Sequence, residues 1–177
     1  MKILNGYAGI GGNRKLWEGH DITAIEYKKD IAEIYKHYFP KDRIIITDAH
    51  EYLLKHISEY DFVWMSPPCP THSKFRQMAV YRGQNTMEYP DMSLYQEILL
   101  LKYFAPKSTK WVVENVSPYY SPLIKPSVAL GRHYFWTNFY VRKKDFSEDG
   151  TLDHVTNGTT KYGFSISDFT VEDRKNK

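Results

Sequence analysis

The single cysteine of this chain lies in an unusual setting. It is Cys69 in the segment WMSPPCPTHS, residues 64–73, with a proline on each side. One cysteine cannot form an internal disulfide, so it is either a small buried hydrophobic residue or a reactive thiol. A reactive thiol needs partial exposure, and this cysteine follows an apolar run and precedes a long polar segment. Cys69 is therefore a candidate nucleophile.

A candidate acid occurs in a second segment, WVVENVSP, residues 111–118. Here Glu114 and Asn115 follow a short apolar run. Taken alone, such a cysteine more often packs in a core and such a glutamate more often caps a turn, and both structural interpretations stay open. If the two side chains meet at one edge of a sheet, they indicate a nucleophile working with a general acid.

Predicted strands and helices, which would position these residues, alternate along the chain. Short apolar or β-branched runs lie at 2–4, 22–25, 43–46, 61–65 and 110–113. With helix-like segments between most of them, they predict an α/β fold with a mostly parallel sheet and helices on both faces. The clearest helices are predicted over 27–39, which Pro40 ends, and over about 93–104. Parallel strands bring their carboxyl ends to one edge, where we expect the candidates to meet.

Three further strand ends carry residues typical of a ligand site. The first run leads into NGYAGIGG, whose glycines let a ligand lie against the backbone, although the spacing matches neither a dinucleotide fingerprint nor a phosphate loop. The second run ends at Glu26, where an acid commonly binds ribose hydroxyls, and the third is followed by Asp48. Each acid alone is more often solvated or a cap. Their succession favours a ligand site.

Taken together, these segments resemble the DNA (cytosine-5) methyltransferase family. GYAGIGG is similar to its Phe-Ala-Gly-x-Gly-Gly loop, IEYKKDIAEIYKHYF to its second-strand acid and helix, and TDA to its adenine-contacting segment. PPCPTHS resembles its Pro-Cys-x-x-x-Ser motif, and ENV matches Glu-Asn-Val. The resemblance runs from residue 3 to about residue 140. It implies a Rossmann-like class I S-adenosylmethionine-dependent methyltransferase fold, with a catalytic domain over 1–142 and a short polar extension over 143–177.

The resemblance also implies a covalent mechanism. Cys69 would add to carbon 6 of cytosine while Glu114 donates to ring nitrogen 3, which lets carbon 5 attack the methyl group of S-adenosylmethionine. Nearby cations would favour the thiolate. Arg132 in GRHYF resembles the second arginine of the family's Arg-x-Arg motif and would face the cytosine carbonyl. The implied cofactor residues are Tyr7, Ala8, Gly9, Gly11, Glu26, Tyr27, Asp48, Pro68 and Leu94.

Double-stranded DNA is the partner that the resemblance implies, because the target base of this family leaves the duplex. The polar segment from Thr71 to Met92 is predicted as a long loop that closes over the base and touches phosphates. The candidate nucleic-acid contacts in it are Ser73, Lys74, Arg76 and Arg82. No metal ion is expected.

Some features depart from the family pattern and leave alternatives open. Pro70 replaces the usual glutamine, Leu130 replaces the first arginine of Arg-x-Arg, and neither a target-recognition region nor the family's final Gly-Asn motif follows residue 140. We favour a compact, phage-like DNA methylase, as in restriction-modification. The alternatives are a split enzyme whose partner chain supplies target recognition, a non-catalytic module that binds S-adenosylmethionine or nucleic acid, and an RNA cytosine-5 methyltransferase.

Composition narrows the class of protein but not its substrate. The 177 residues are 42% hydrophobic and 25% charged, with a net charge of +3. No apolar run approaches the roughly 18 residues of a membrane span, and the first residues lack a secretory signal. These features predict a globular cytoplasmic protein with no membrane partner. The mild net charge does not argue for or against nucleic acid.

Overall fold

Seven strands form one sheet in the computed structural model, which describes residues 1–142. The strand order is β3-β2-β1-β4-β5-β7-β6, and β1 to β5 are parallel whereas β7 is antiparallel to both β5 and β6. All five predicted strands are present, and the β6–β7 hairpin is additional. The strands are β1 (Lys2–Gly6), β2 (Asp21–Glu26), β3 (Arg43–Ile46), β4 (Phe62–Met65), β5 (Lys110–Val116), β6 (Val128–Leu130) and β7 (His133–Thr137).

Four α-helices accompany the sheet in the described residues. They are α1 (Lys29–Tyr38), α2 (Ala49–His56), α3 (Lys74–Tyr81) and α4 (Ser93–Phe104). The positions of α1 and α4 confirm the two predicted helices. The prediction of an uninterrupted loop over 71–92 is wrong, because that segment contains α3. Ser73 caps the new helix, as its Oγ accepts a hydrogen bond from the backbone N–H of Phe75 at 3.2 Å.

Apolar side chains cover both faces of the sheet. On one face, Leu53 of α2 and Leu94, Ile98 and Leu101 of α4 pack against strand residues such as Val63. On the other face, Tyr35 of α1 packs against Ala24. Because both faces are covered, β1 and β2 are nearly continuous buried runs and do not alternate with polar residues. Within residues 1–142 no helix has the length and apolar character to cross a membrane.

The order in which strands are added to the sheet reverses between β1 and β4. From β1 the chain proceeds to β2 and β3 on one side, and it then returns to β4 on the other side of β1. Ligands of open α/β sheets bind at such a switch point, in the crevice beyond the carboxyl ends of the strands. The loop of residues 7–12 follows β1, and residues 66–69 follow β4. The glycine-rich loop and Cys69 therefore flank this crevice.

Candidate active site

Cys69 is an exposed residue just beyond the end of β4. It directly precedes a short 3-10 helix, Pro70–His72, and its carbonyl oxygen accepts a hydrogen bond from the N–H of His72 at 3.1 Å. This bond fixes the turn that carries the sulfur. The cysteine is therefore outside the packed core and in a position that a nucleophile requires.

Asn115, at the end of β5, ties this strand to the segment that carries the cysteine. Its side chain is buried, and Nδ2 donates a hydrogen bond to the carbonyl oxygen of Pro67 at 3.0 Å. Its Oδ1 accepts one from the backbone N–H of Val116 at 2.9 Å. The preceding residue, Glu114, is half-buried. The ends of β4 and β5 are thus joined directly beside the two candidate catalytic residues.

Two effects raise the pKa of the Cys69 thiol. The larger is desolvation by the atoms packed around the sulfur, and the second is the negative charge of Glu114, while a backbone hydrogen bond acts in the opposite direction. The carboxylate is therefore close enough to disfavour a thiolate. The expectation that nearby cations favour the thiolate stays a prediction, since the two effects seen here act in the opposite direction.

The β6–β7 hairpin brings two basic residues to the same edge. His133 Nε2 lies 3.6 Å from Glu114 Oε1. Arg132 is exposed, and its carbonyl oxygen accepts a hydrogen bond from the N–H of Ser117 at 2.8 Å, which places its backbone beside the end of β5. The sequence analysis did not identify His133, because its position next to Glu114 depends on the antiparallel register that pairs it with Val116.

Glu26 holds the glycine-rich loop against the end of β2. Its Oε2 accepts a hydrogen bond from the N–H of Gly9 at 2.9 Å, and its Oε1 accepts one from the N–H of Lys28 at 3.0 Å. The N–H of Ala8 donates to the carbonyl oxygen of Ile25 at 2.9 Å. A Cβ atom added at Gly9, which has a φ of +55°, would meet no atom within 4 Å. The outer face of this loop is therefore open.

The other predicted cofactor residues differ in exposure. Asp48 is exposed, and its Oδ1 accepts a hydrogen bond from the N–H of Glu51 at 2.9 Å, so it caps α2. Tyr27 is 75% exposed, which leaves its ring available to a ligand. Pro68 is exposed beside Cys69. Leu94 is 1% exposed and belongs to the core, so it can contribute only through the position of α4.

The predicted nucleic-acid contacts lie at the start of α3 and along it. Ser73 caps the helix, and Lys74 and Arg82 are exposed. The guanidinium group of Arg76 forms an ion pair with Glu88 in the same segment. The predicted contacts are thus brought together on one short segment that follows Cys69, with Arg76 already engaged.

A cavity at the other end of β5 is separate from these residues. Its volume is about 490 Å³, and it lies between the second half of α4, the start of β5 and the end of β7. Trp111, Trp136, Lys102 and Lys125 are among its lining residues. Since Cys69 follows the carboxyl end of β4, next to the carboxyl end of β5, this cavity is not where the candidate residues meet. Among residues 1–142, no three His, Cys, Asp or Glu side chains are grouped to hold a metal ion.

The match to a family model decides the family. The model described as C-5 cytosine-specific DNA methylase matches residues 1–121. The chain belongs to this family. The resemblance found in the sequence is confirmed, and the matched part of this methylase contains every candidate residue except Arg132.

A solved structure confirms the fold of this methylase. It is a putative methyltransferase, yhhF, from Escherichia coli, with a TM-score of 0.51, 14% identity, and coverage of 77% of this chain and 73% of that chain. A DNMT2 mutant from Spodoptera frugiperda is also similar, with a TM-score of 0.44, 23% identity, and coverage of 65% of this chain and 35% of that chain. No curated protein shows significant similarity to the sequence. The predicted Rossmann-like methyltransferase fold is confirmed.

Proposed function

We propose that this methylase transfers a methyl group from S-adenosylmethionine to carbon 5 of cytosine in DNA, through a covalent bond between Cys69 and carbon 6. The observation that carries the proposal is the position of the exposed Cys69 and of Glu114 at the switch-point edge of the sheet, on either side of the hydrogen bond that joins Asn115 to Pro67. A nucleophile and an acid that interact at a ligand-binding edge suit addition to a ring that must be protonated at the same time.

In the proposed steps, Cys69 acts as the nucleophile and Glu114 donates and later takes back a proton. The thiol proton of Cys69 first passes to the Glu114 carboxylate. The resulting thiolate forms an S–C6 bond while the Glu114 carboxylic acid gives that proton to nitrogen 3, which makes carbon 5 nucleophilic. S-adenosylmethionine, when bound, supplies an electrophilic methyl group on a sulfonium. After methylation a base, proposed to be water, removes the proton from carbon 5. The S–C6 bond then breaks, the thiolate leaves, and the proton on nitrogen 3 returns to Glu114.

The charge of Glu114 affects how readily Cys69 forms a thiolate. When Glu114 is ionised, its charge raises the pKa of Cys69 and disfavours the thiolate. Transfer of the thiol proton to Glu114 removes that charge, so one step is proposed to produce both the acid that donates and the thiolate that attacks. His133 Nε2, at 3.6 Å from Glu114 Oε1, is placed to orient the carboxyl group. Arg132 on the same hairpin is proposed to face the cytosine carbonyl.

The residues at the ends of β1, β2 and β3 fit S-adenosylmethionine. The Glu26 carboxylate has oxygen lone pairs beyond those that accept from Gly9 and Lys28, and these suit the ribose hydroxyls. The open face at Gly9 can accommodate the methionine part, together with Tyr7, Ala8 and Gly11. Tyr27 offers an exposed ring to the adenine, and Asp48 is proposed to accept from the adenine amino group. Pro68 and the α4 segment at Leu94 complete this pocket.

Nucleic acid is the substrate class that the family implies, and we propose DNA with the cytosine flipped out of the duplex. The segment after Cys69 supports this, because Lys74 at the start of α3 and Arg82 just after its end are exposed cations, and Ser73 caps the helix. Contacts of this kind fix the position of a phosphate backbone without reading its bases. A partner chain that reads the target sequence, a phage-like origin and a cytoplasmic location remain predictions.

Trapping of the covalent adduct tests the proposal most directly. We expect the full chain with S-adenosylmethionine to form a denaturation-resistant adduct with 5-fluorocytosine in duplex DNA, because fluorine at carbon 5 blocks the last proton removal. The adduct and transfer of radiolabelled methyl groups should both disappear in Cys69→Ser. The matched control is Ser121→Ala, which changes an exposed side chain after β5.

The possible results separate the alternatives. An adduct with RNA and not with DNA would identify an RNA cytosine methyltransferase. Binding of S-adenosylmethionine without an adduct on either nucleic acid, with candidate partner chains present, would contradict the covalent mechanism and leave a cofactor-binding module. Equal methyl transfer by wild type and Cys69→Ser would exclude the sulfur as the nucleophile.

A further inference from the structure

A glutamate is completely buried on the inner side of α4. Glu97 is 0% exposed and lies on the helix stripe formed by Leu94, Ile98 and Leu101, which packs against the sheet. A buried carboxyl group lowers stability unless it is hydrogen-bonded or neutralised. For stability alone, an apolar residue would be more favourable at this position. Its partners therefore indicate what it contributes.

One oxygen of Glu97 joins two other segments to α4. Oε1 accepts a hydrogen bond from the hydroxyl group of Tyr7 at 2.7 Å and lies 3.0 Å from Nδ1 of His50. The other ring nitrogen of His50, Nε2, lies 2.8 Å from Nε2 of Gln96. Because an amide NH₂ group only donates, His50 Nε2 is assigned as the acceptor and Nδ1 carries the proton that is donated to Glu97. Gln96, His50 and Tyr7 thus form one consistent network around this carboxyl group.

The joined segments each carry a candidate cofactor residue. Tyr7 lies in the loop after β1 and is itself a candidate. His50 lies in the first turn of α2, shortly after Asp48, and Glu97 lies one turn after Leu94 in α4. A single buried oxygen therefore sets the spacing between the three segments that would surround S-adenosylmethionine.

Tyr7 has a backbone conformation that needs such support. Its φ is +56°, in the left-handed region, and it is the non-glycine residue with positive φ within the described part of the chain. Such a conformation is unfavourable for a residue with a side chain and persists when its surroundings hold it in place. The bond from its hydroxyl group to Glu97 supplies that restraint. The shape of the glycine-rich loop is thus coupled to α4.

The electrostatics place this network beside Asp48. Burial raises the pKa of Glu97, the hydrogen bonds from Tyr7 and His50 lower it, and the negative charge of Asp48 raises it again. The pKa of Tyr7 is raised by burial, by Glu97 and more weakly by Asp48 and Asp91. Glu97 Oε2 makes no hydrogen bond within residues 1–142. The network therefore interacts electrostatically with Asp48, the acid proposed to contact adenine.

We propose that Glu97 is a positioning residue of the cofactor pocket, which holds the segments of Tyr7, Asp48 and Leu94 in their binding arrangement before the cofactor arrives. The inference rests on the proposed use of S-adenosylmethionine. Preorganisation of this kind raises affinity because less conformational freedom is lost on binding. Cys69 and Glu114 lie on the other side of the switch point, so the chemistry at cytosine depends on Glu97 only through the bound cofactor.

Calorimetric titration of the full chain with S-adenosylmethionine tests the inference. The test variants are Glu97→Gln, which keeps the shape and removes the charge, and Tyr7→Phe, which removes only the hydroxyl group. Their matched controls are Glu33→Gln on α1 and Tyr103→Phe on α4, both at exposed positions. At a temperature where circular dichroism shows every variant folded, we expect each test variant to bind about tenfold more weakly and each control to bind like the wild type.

The double variant and the reaction rate separate positioning from simple stabilisation. Because the two residues share one hydrogen bond, Tyr7→Phe with Glu97→Gln should bind almost as well as Glu97→Gln alone. In Glu97→Gln, methyl transfer at saturating cofactor should stay within about twofold of the wild type, because the lost interaction contributes to cofactor binding and not to transition-state stabilisation. Unchanged affinity with reduced thermal stability would overturn the inference and leave Glu97 a structural residue.

A readout without cofactor decides the case even if the proposed function fails. In Glu97→Gln, we expect hydrogen exchange to accelerate relative to the wild type at the amides of Gly9 and Glu51, which lie in the joined segments. The acceleration at the amide of Val113, in the core of β5, should be smaller. Acceleration of the same size at all three would contradict a local lock. If the wild type gives no heat with S-adenosylmethionine, the proposed function is wrong, and the exchange pattern still shows whether Glu97 couples these segments.

Discussion

Asn115 Nδ2 donates a buried hydrogen bond to the carbonyl oxygen of Pro67 at 3.0 Å, and this bond joins the residue after Glu114 to the segment that carries Cys69. Cys69 follows the end of β4 and Glu114 lies near the end of β5. The bond therefore sets the distance between the thiol and the carboxyl group. Proline has a fixed φ, which restricts the backbone conformation on this side of the bond. The amide of Asn115 thus helps to set the relative position of Cys69 and Glu114.

Substitution of Asn115 should impair catalysis more than its loss of stability explains. Asn115→Ala leaves the buried Pro67 carbonyl without its donor, so we expect the free energy of unfolding to fall by about 1–3 kcal/mol. We also expect methyl transfer to fall by roughly 100-fold, because small displacements of reacting groups have large effects on rate. Urea denaturation and a transfer assay measure the two quantities.

Asn138 offers a matched control for this prediction. Its Nδ2 donates to the carbonyl oxygen of Thr109 at 2.8 Å and its Oδ1 accepts from the N–H of Trp111 at 2.9 Å, at the opposite end of β5. Asn138→Ala removes the same kinds of bond far from Cys69, so stability should fall while methyl transfer by the folded protein is preserved. Equal losses of activity in the two variants would mean that Asn115 acts only through stability.

The reactivity of Cys69 should report the charge of Glu114. Glu114 raises the pKa of the thiol, so Glu114→Gln should lower that pKa and move the pH profile of iodoacetamide alkylation toward lower pH. The sign follows because the thiolate is the reactive form and the removed charge disfavours it. With one cysteine in the chain, mass spectrometry of the intact protein follows the reaction. This measurement requires neither cofactor nor nucleic acid.

Glu59→Gln is the control for charge removal. Glu59 also contacts a histidine, with its Oε1 at 2.6 Å from Nδ1 of His56, but it lies before β4 at the opposite edge of the sheet. The pH profile of Cys69 alkylation in Glu59→Gln should coincide with that of the wild type. A profile that does not move in Glu114→Gln would show that the two side chains fail to interact in solution.

The sequence predicted the elements whose signals are local. The runs of β1 to β5 and the periodicity of α1 and α4 are long enough to be recognised, and parallel pairing then brings Glu26, Asp48 and Glu114 to one edge. The short β6 and β7 give little periodicity. The helix α3 does not follow from the sequence because the segment of residues 71–92 that contains it is polar as a whole, although Ser73 occupies a capping position.

The unpredicted parts of the candidate site depend on contacts between distant residues. His133 reaches Glu114 only through the antiparallel register of β5 and β7. Tyr7 and Glu97 are 90 positions apart, and no local pattern pairs them. A signal for Glu97 did exist, because it is an acid on the apolar stripe of α4. Such a residue predicts a buried polar network, although the sequence does not identify its partners.

The two glycines with positive φ in the loop after β1 should respond differently to alanine. A Cβ at Gly11, with a φ of +87°, would lie 2.3 Å from Cε2 of Phe39, whereas a Cβ at Gly9 would meet no atom within 4 Å. We expect Gly9→Ala to lower the free energy of unfolding by about 1–2 kcal/mol from backbone strain. Gly11→Ala should lose about 1–3 kcal/mol more because it overpacks the core. Urea denaturation measures both, and equal losses would contradict the close packing at Gly11.

The stability of the wild type relative to Glu97→Gln should decrease as pH rises. Burial raises the pKa of Glu97 above its ordinary value of 4.5, so between these two values the folded protein holds a proton that the unfolded chain has released. The contribution of Glu97 to stability is therefore fully present below pH 4.5, is lost as pH rises through the folded pKa, and is constant above it. Urea denaturation of both proteins across this range measures the difference, in which the titration of groups that do not interact with Glu97 cancels. Ile98→Val, on the same stripe of α4, introduces no titratable change and should differ from the wild type by an amount independent of pH. A difference between wild type and Glu97→Gln that is flat, or that rises with pH, would show that the carboxyl group is not held in a desolvated position.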